Sequence, residues 1–382
     1  MDKTKQKIII STGNLGVGGQ ERMLIEFLRF FSPEDYQILL LIEEDKGVEN
    51  HYIGEIPSYV EYRFLTSWKF MEELERSKSG KSLISKLRYS NLLQKKKKIA
   101  INKVKKHLNF ADVIIDYNMG LLRYLHKLNL KDKRIIGWSH AGEGSLERKK
   151  QKRLNMGLYD TVVTINSKMK EGYEKNYSHE KFKVVKIYNF IEKSLVREKA
   201  DAFQVEEKTP YILIAGALVQ NKNHELLIKA FKKVADQIEN INLLILGRGP
   251  LREELESLVK NLELGERVKF KGLQQNPFPY IKNSKFFVQS SVQEGMPLVI
   301  MESMILGKAV ISTKNNGSIE IMEDGKYGVL TEHNPEDLGE KIIDLLQNSE
   351  KLERFQKLSL ERSRDFSRER AGEAIEKLIR GE

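Results

Sequence analysis

The chain has 382 residues, 40% of them hydrophobic and 31% charged, with a formal net charge of +11. That length and balance suit a soluble globular protein of two domains, each large enough for its own core. Cysteine is absent, which excludes disulfides, thiolate metal sites and a cysteine nucleophile.

Met1 to Lys7 leads straight into an apolar strand with no signal-peptide core, and no run approaches ~20 apolar residues. A cytoplasmic chain without a membrane span is therefore expected. Lys7 to Thr12 reads as a buried strand, and Gly13-Asn14-Leu15-Gly16-Val17-Gly18-Gly19 as a glycine-rich turn. From Gln20 to Leu28 apolar residues recur at helical spacing. This strand–turn–helix unit lacks the spaced G-x-G-x-x-G dinucleotide fingerprint. Gln37 to Ile42 and Val60 to Leu65 are the next strands.

Between Lys78 and Lys106 stand eleven basic residues and no acidic one, a count equal to the whole net charge of +11. They are Lys78, Lys81, Lys86, Arg88, Lys95, Lys96, Lys97, Lys98, Lys103, Lys105 and Lys106. Interleaved apolar residues, among them Leu83, Ile84, Leu87, Leu92 and Leu93, allow one or two amphipathic helices. Near an anionic leaflet each cation contributes roughly 1 kcal/mol, so half of them reaching the surface gives about 5 kcal/mol. The Lys78–Lys106 segment is thus expected to attach the protein reversibly to an anionic membrane surface. The alternatives are a merely solvated charge run and nucleic acid. No recognised nucleic-acid motif accompanies the charge, so no nucleic-acid partner is expected.

Val113 to Ile115, Ile135 to Trp138, Thr161 to Thr164 and Val184 to Ile187 follow as strands. Helical patterns such as Leu121 to Leu128 and Ser167 to Tyr177 separate them. The polar residues 191–208 read as a linker, making 1–190 the first domain. A second series of strands and helices fills 209–362, starting at Tyr211 to Ala215 and ending with a short strand near Leu330 and two helices. Residues 363–382 read as a final helix packing back on the first domain. Strands alternating with helices imply parallel sheets covered on both faces, hence an α/β protein of two Rossmann-like domains. The loops after Thr12, Ala215, Leu246, Gln289 and Ser312 are expected to face a cleft at the carboxyl ends of the strands.

The stretch with most chemistry is Gln293-Glu294-Gly295-Met296-Pro297-Leu298-Val299-Ile300-Met301-Glu302. It reads as a loop followed by a helix, with Pro297 at the first helical position. The amides of Met296, Leu298 and Val299 then point out of the helix end, where the dipole favours an anion. Gly295 permits close approach of a ligand. Glu294 precedes the helix, and Glu302 lies about 7–8 Å along it. A carboxylate on so apolar a helix is costly unless it is paired or bound by a ligand. Two carboxylates flanking an anion site suit a ligand with hydroxyls on both sides of a phosphate, such as a nucleotide sugar.

Glu294 and Glu302 form an E-x7-E pair, and Glu294-Gly295-Met296-Pro297 has the form E-G-x-P. With Gly18-Gly19-Gln20-Glu21-Arg22, Leu218-Val219-Gln220-Asn221-Lys222-Asn223-His224 and Asn276-Pro277-Phe278-Pro279-Tyr280, the chain resembles the retaining glycosyltransferases of family 4. The resemblance spans essentially the whole chain and implies the GT-B fold, in which two Rossmann-like domains face a central cleft. It further implies that Glu294 contacts the donor sugar and Glu302 the ribose hydroxyls. Gly295, Met296, Pro297, Leu298 and Val299 would bind sugar and diphosphate, and Lys222 would neutralise the diphosphate. Gly18 and Gly19 would close over it, and His140 would stand near the donor sugar as a second catalytic residue.

The family usually has arginine where Ala217 stands, so Lys222, the amides and Arg248 would carry the phosphate charge. Losing one charge-assisted contact costs about 1.5–3 kcal/mol. The resemblance implies hexosyl or N-acetylhexosaminyl transfer from a UDP-sugar, without metal or cofactor. The acceptor would be a glycan or a lipid-linked glycan in surface-polysaccharide synthesis at the cytoplasmic membrane face. The rival readings are an inactive partner subunit of the same fold and a basic nucleic-acid-binding protein.

Overall fold

The computed structural model describes residues 5–16, 18–140 and 155–382, so residues 1–4 and Val17 of the glycine turn lie outside the described residues. The chain divides into two compact units, Met1–Ile187 with Gly372–Glu382, and Tyr188–Ala371.

The sheet of the first unit contains β1 (Gln6–Thr12), β2 (Tyr36–Glu44), β3 (Glu61–Thr66), β4 (Val113–Asp116), β5 (Arg134–Ser139), β6 (Thr161–Thr164) and β7 (Lys183–Lys186). Their order is β3-β2-β1-β4-β5-β6-β7, with every pairing parallel. Ile8, Ile9 and Ile10 are each 0% exposed, so successive side chains on both faces of β1 are covered. That is why the strand reads as an unbroken apolar run rather than an alternation.

In the second unit the strands are β8 (Tyr211–Ala215), β9 (Asn242–Leu246), β10 (Val268–Gly272), β11 (Phe287–Gln289), β12 (Val310–Thr313) and β13 (Val329–Thr331). Their order, β10-β9-β8-β11-β12-β13, repeats the pattern of the first unit, again all parallel. In each sheet the strand order reverses once, between β1 and β4 and between β8 and β11. Such a reversal opens a crevice at the carboxyl ends of the two strands, because the loops leaving them turn to opposite sides. The second core joins Ile212, Ile214, Leu243 and Val288 of the strands to Leu227, Phe231 and Val234 of the His224–Gln237 helix.

Several expectations change. The segment 191–208 is more than a linker, since Lys193–Ala200 is a helix. Glu192 caps it by accepting from the Ser194 amide at 3.3 Å, and Val196 and Ala200 are each 2% exposed. Of its three apolar residues only Val196 and Ala200, four apart, are buried, a pattern too weak to stand out in the sequence. It packs on the Phe278–Asn283 and Leu298–Ile305 helices of the second unit. The helical pattern over Leu121 to Leu128 forms two 3₁₀ turns, Leu121–Arg123 and Leu125–Lys127. The buried Asp116 carboxylate takes the amides of Leu121 and Leu122 at 3.1 Å each, which fixes a tight turn at the strand end.

The final helix is Arg368–Arg380. Its part from Gly372 onward belongs to the first unit, where Arg134 Nη1 donates to the Ile379 carbonyl at 2.7 Å. The basic segment spans the end of one helix, Trp68–Ser79, and a second of 25 residues, Leu83–His107. Lys96 departs from the membrane-facing cationic segment expected here. It is buried and pairs with Glu43 at 3.3 Å and with Glu44.

Candidate functional site

In the second unit the predicted residues converge on the β8/β11 reversal. The loop after β8 carries Lys222 in a 3₁₀ turn, Gln220–Lys222, and the loop after β11 carries Glu294. Lys222 Nζ and Glu294 Oε1 are 2.5 Å apart, a direct ion pair. The pair is partly shielded, with side-chain exposures of 28% for Lys222 and 13% for Glu294. Backbone contacts hold the two loops in register. Asn221 Nδ2 donates to the Gln293 carbonyl at 2.9 Å, and the Gln293 amide returns a bond to Asn221 Oδ1 at 3.2 Å. The Val292 amide donates to the Asn221 carbonyl at 2.8 Å, and the Ser290 hydroxyl to the Lys222 carbonyl at 2.9 Å.

The helix after this loop is Leu298–Ile305, with Pro297 at its N-cap (φ −70°, ψ 111°) rather than at the first helical position. The amides of its first turn have no partner within the helix, and the loop from Gly295 to Pro297 leads into them. Glu302, on the same helix, is 2% exposed. The Asn316–Met322 helix buttresses the loop, with the Gly317 amide donating to the Glu294 carbonyl at 3.0 Å. A Cβ on Gly317 would fall 2.7 Å from Pro297 Cδ and 3.0 Å from the Gly295 carbonyl carbon. Only glycine allows that approach.

Sequence reasoning missed two side chains here. Gln289, the last residue of β11, donates through Nε2 to Glu294 Oε1 at 2.9 Å, the same oxygen that Lys222 holds, and so helps to orient the carboxylate. As a strand-end glutamine it carries no local signature. His224 is 2% exposed, and neither ring nitrogen has a hydrogen-bond partner among the described residues. Burial pushes its pKa down to about 4, and the neighbouring Lys222 ammonium pushes the same way. It is therefore a neutral imidazole beside the lysine.

At Ala217 no cation stands in the chain, but the neighbouring loop brings Arg248 alongside. The Leu218 amide donates to the Arg248 carbonyl at 3.0 Å. A Cβ on Gly247, where φ is +142°, would lie 1.9 Å from the Gly216 carbonyl oxygen, and one on Gly249 2.3 Å from that of Leu218. The Arg248 side chain is exposed.

The first unit holds the other predicted residues. Gly18 is the N-cap of the Gly19–Phe30 helix, in extended conformation at φ −179°, and its carbonyl accepts from the Arg22 amide at 3.1 Å. A Cβ on Gly18 would meet the Glu21 carboxylate at 2.2 Å. His140 follows β5, and its ring lies 4.5 Å from that of Tyr117. It is 9% exposed, and burial pushes its pKa down to about 4, against the opposing effect of a hydrogen bond to the Tyr117 backbone. Nε2 has no partner among the described residues, so Nδ1 carries the proton given to Tyr117 and Nε2 presents a lone pair. Gly18, Gly19 and His140 are thus in one unit, and Lys222, Glu294, Gly295, Met296, Pro297, Leu298, Val299 and Glu302 in the other.

Residues 196–361 match the family model Glycosyl transferases group 1. That stretch lies within the second unit and contains Lys222, Glu294 and Glu302. A relative from Campylobacter jejuni, N-acetylgalactosamine-N,N'-diacetylbacillosaminyl-diphospho-undecaprenol 4-alpha-N-acetylgalactosaminyltransferase, is 35% identical over 163 residues. The match covers 42% of this chain and 44% of that enzyme. An uncharacterized glycosyltransferase of Methanocaldococcus jannaschii is 34% identical over 197 residues, 44% of this chain and 48% of the relative. The chain thus spans less than half the length of both relatives. The fold is GT-B. It is similar to Anabaena HepE, solved in complex with UDP and glucose, with a TM-score of 0.74 at 16% identity, covering 99% of this chain and 100% of that one.

Proposed function

We propose that the chain is a retaining family 4 glycosyltransferase moving a sugar from a UDP-sugar to a hydroxyl of a glycan or lipid-linked acceptor. The observation that carries this reading is the Lys222–Glu294 pair, set across the β8/β11 reversal at the start of the Leu298–Ile305 helix. One cation and one carboxylate, held side by side, match the two needs of the reaction. Lys222 and the amides from Gly295 to Val299 stabilise the charge developing on the leaving diphosphate. Glu294 faces the transferring sugar, and the buried Glu302 accepts from the ribose hydroxyls. Preorganised donors of this kind contribute about 10²–10³-fold each. Arg248 adds charge beside Ala217.

His140, held neutral at pH 7, shuttles no proton in this scheme, and its Nε2 lone pair can act only as a hydrogen-bond acceptor. No metal or cofactor is required. The acetamido-sugar transfer named for the Campylobacter relative supports an N-acetylhexosamine or hexose donor. Its undecaprenol-linked acceptor supports a lipid-linked one here, in surface-polysaccharide synthesis. Among the described residues no helix is long and apolar enough to cross a membrane. On this proposal the chain meets such an acceptor peripherally at the cytoplasmic membrane face, through the basic Lys78–Lys106 segment.

The test is UDP release from a panel of UDP-sugars with undecaprenol-linked acceptors. Glu294→Ala should abolish transfer and leave the thermal melt unchanged. No release with any donor–acceptor pair would favour the inactive partner subunit, the reading for which Ala217 is the specific observation.

A further inference from the structure

The Leu83–His107 helix is packed along only part of its length. Its buried residues, Leu92, Lys96, Ala100, Ile101 and Val104, all lie in the second and third quarters or beyond. Its first turns carry Leu83, Ile84 and Leu87 at 74%, 78% and 60% exposure. Three large aliphatic side chains so open on adjacent positions are uncommon on a solvated helix, whose outer face is ordinarily polar.

Helical spacing shows what shares their face. At ~100° per residue, Leu87, Gln94, Lys98 and Lys105 fall within an arc of about 40°, with Leu83 at its edge, at the angle where the buried Ile101 turns into the core farther along. Lys98 stands ~16 Å and Lys105 ~27 Å along the axis from Leu87. The exposed face is therefore apolar at its N-terminal end and cationic farther on, and the helix contains no acidic residue. On the neighbouring Trp68–Ser79 helix the carboxylates each have a basic partner: Glu72 with Arg76 and Glu73 with Arg88 at 2.6 Å, Glu75 with Lys78 at 3.5 Å. Lys81, Lys86, Lys97, Lys98, Lys105 and Lys106 make no ion pair among the described residues.

We infer that this helix lies along an anionic phospholipid leaflet, with Leu83, Ile84 and Leu87 inserted below the headgroups and Lys98 and Lys105 among them. The inference deepens the lipid-linked-acceptor reading and rests on it for its purpose. It replaces a purely electrostatic attachment by the whole basic segment with a two-part contact, from which buried Lys96 is excluded. Aliphatic insertion resists salt, whereas the lysine contribution is screened within a Debye length. A second copy of this chain is a poor occupant, because two such faces would bring like charges together. Nucleic acid would leave the three aliphatic side chains without a use.

The experiment is co-sedimentation with vesicles of phosphatidylcholine and phosphatidylglycerol, about two to one, at physiological and at roughly 0.5 M salt. The intact protein should bind at both. The triple variant Leu83→Ser, Ile84→Ser, Leu87→Ser should lose at least about tenfold in partitioning and all binding at high salt. Lys98→Gln with Lys105→Gln should weaken binding at low salt only. Since the chain has no cysteine, Ile84→Cys takes a single environment-sensitive label, which should shift to the blue on these vesicles, while one at Glu239→Cys should not. That label reads the contact even if the triple variant folds poorly. Equal binding by the triple variant, an unshifted Ile84→Cys label, or a dimer that the triple variant breaks without any vesicle binding would overturn the inference. Vesicle binding without sugar transfer would instead sink the functional reading and leave the surface standing.

Discussion

Glutamine at position 294 should tighten the binding of UDP while abolishing transfer, two effects of opposite sign from one substitution. Lys222 Nζ is held by Glu294 Oε1 at 2.5 Å. A phosphate oxygen taken by the same ammonium at ~2.8 Å therefore stands no more than ~5.3 Å from the carboxylate. Two negative charges at that distance repel by ~3 kcal/mol at an effective dielectric of ~20, and by ~0.8 kcal/mol in bulk water. With side-chain exposures of 13% and 28%, the pair lies between those limits. About 1.5 kcal/mol is a reasonable midpoint, roughly tenfold in Kd. Glu294→Gln removes the repulsion and frees the lysine, so titration calorimetry should show UDP bound about tenfold more tightly. The UDP-sugar should gain less than UDP, since the sugar loses its carboxylate. UDP affinity that is unchanged or weaker in Glu294→Gln would refute the placement of the diphosphate at Lys222.

Two further outcomes follow from the packing. Burial holds His140 and His224 neutral with pKa values near about 4, below the ~6.5 of an unfolded histidine. Stability is therefore complete above pH ~6.5 and falls as the pH drops toward about 4, by up to ~3 kcal/mol per histidine. His224→Leu should flatten that decline in thermal melts, and an unaltered slope would count against a buried neutral ring. Gly317→Ala should push the Gly295–Pro297 loop away from the helix start, costing about 1–3 kcal/mol in stability and lowering kcat/KM for the donor. Wild-type kinetics in that variant would show that the close packing of Gly317 on Pro297 has no part in donor binding.

The strands were legible because parallel strands covered on both faces leave continuous apolar runs such as Ile8-Ile9-Ile10. The β8 range, Tyr211–Ala215, matches the sequence reading residue for residue. What escaped notice depends on contacts far apart in the chain. The Lys193–Ala200 helix has a weak apolar pattern and is held by tertiary packing. Lys96 reads as one of four consecutive lysines, and only the folded chain brings Glu43 and Glu44, fifty residues away in round terms, against it. The site divides in the same way. The E-x7-E spacing and the lysine are visible because the loop and helix are local. Gln289 and His224 are not, because what matters about them is the company they keep.

The repeated strand order explains why so short a set of residues suffices. At the β8/β11 reversal two loops leave neighbouring strands toward opposite sides, so a cation from one and a carboxylate from the other can meet without either strand bending. Their meeting is fixed by backbone bonds through Asn221 and by the buttress at Gly317, neither of which depends on a ligand. A pair positioned in advance pays little reorganisation when charge develops on a phosphate. Alanine at 217 then has a definite consequence. On the proposed reading the phosphate charge would fall on Lys222, the loop amides and Arg248, an exposed residue carried by a loop that Gly247 and Gly249 let approach within bonding distance of Leu218. Because Lys222 is partly shielded and Arg248 is solvated, the lysine should dominate donor affinity and the arginine should add a smaller, salt-sensitive share.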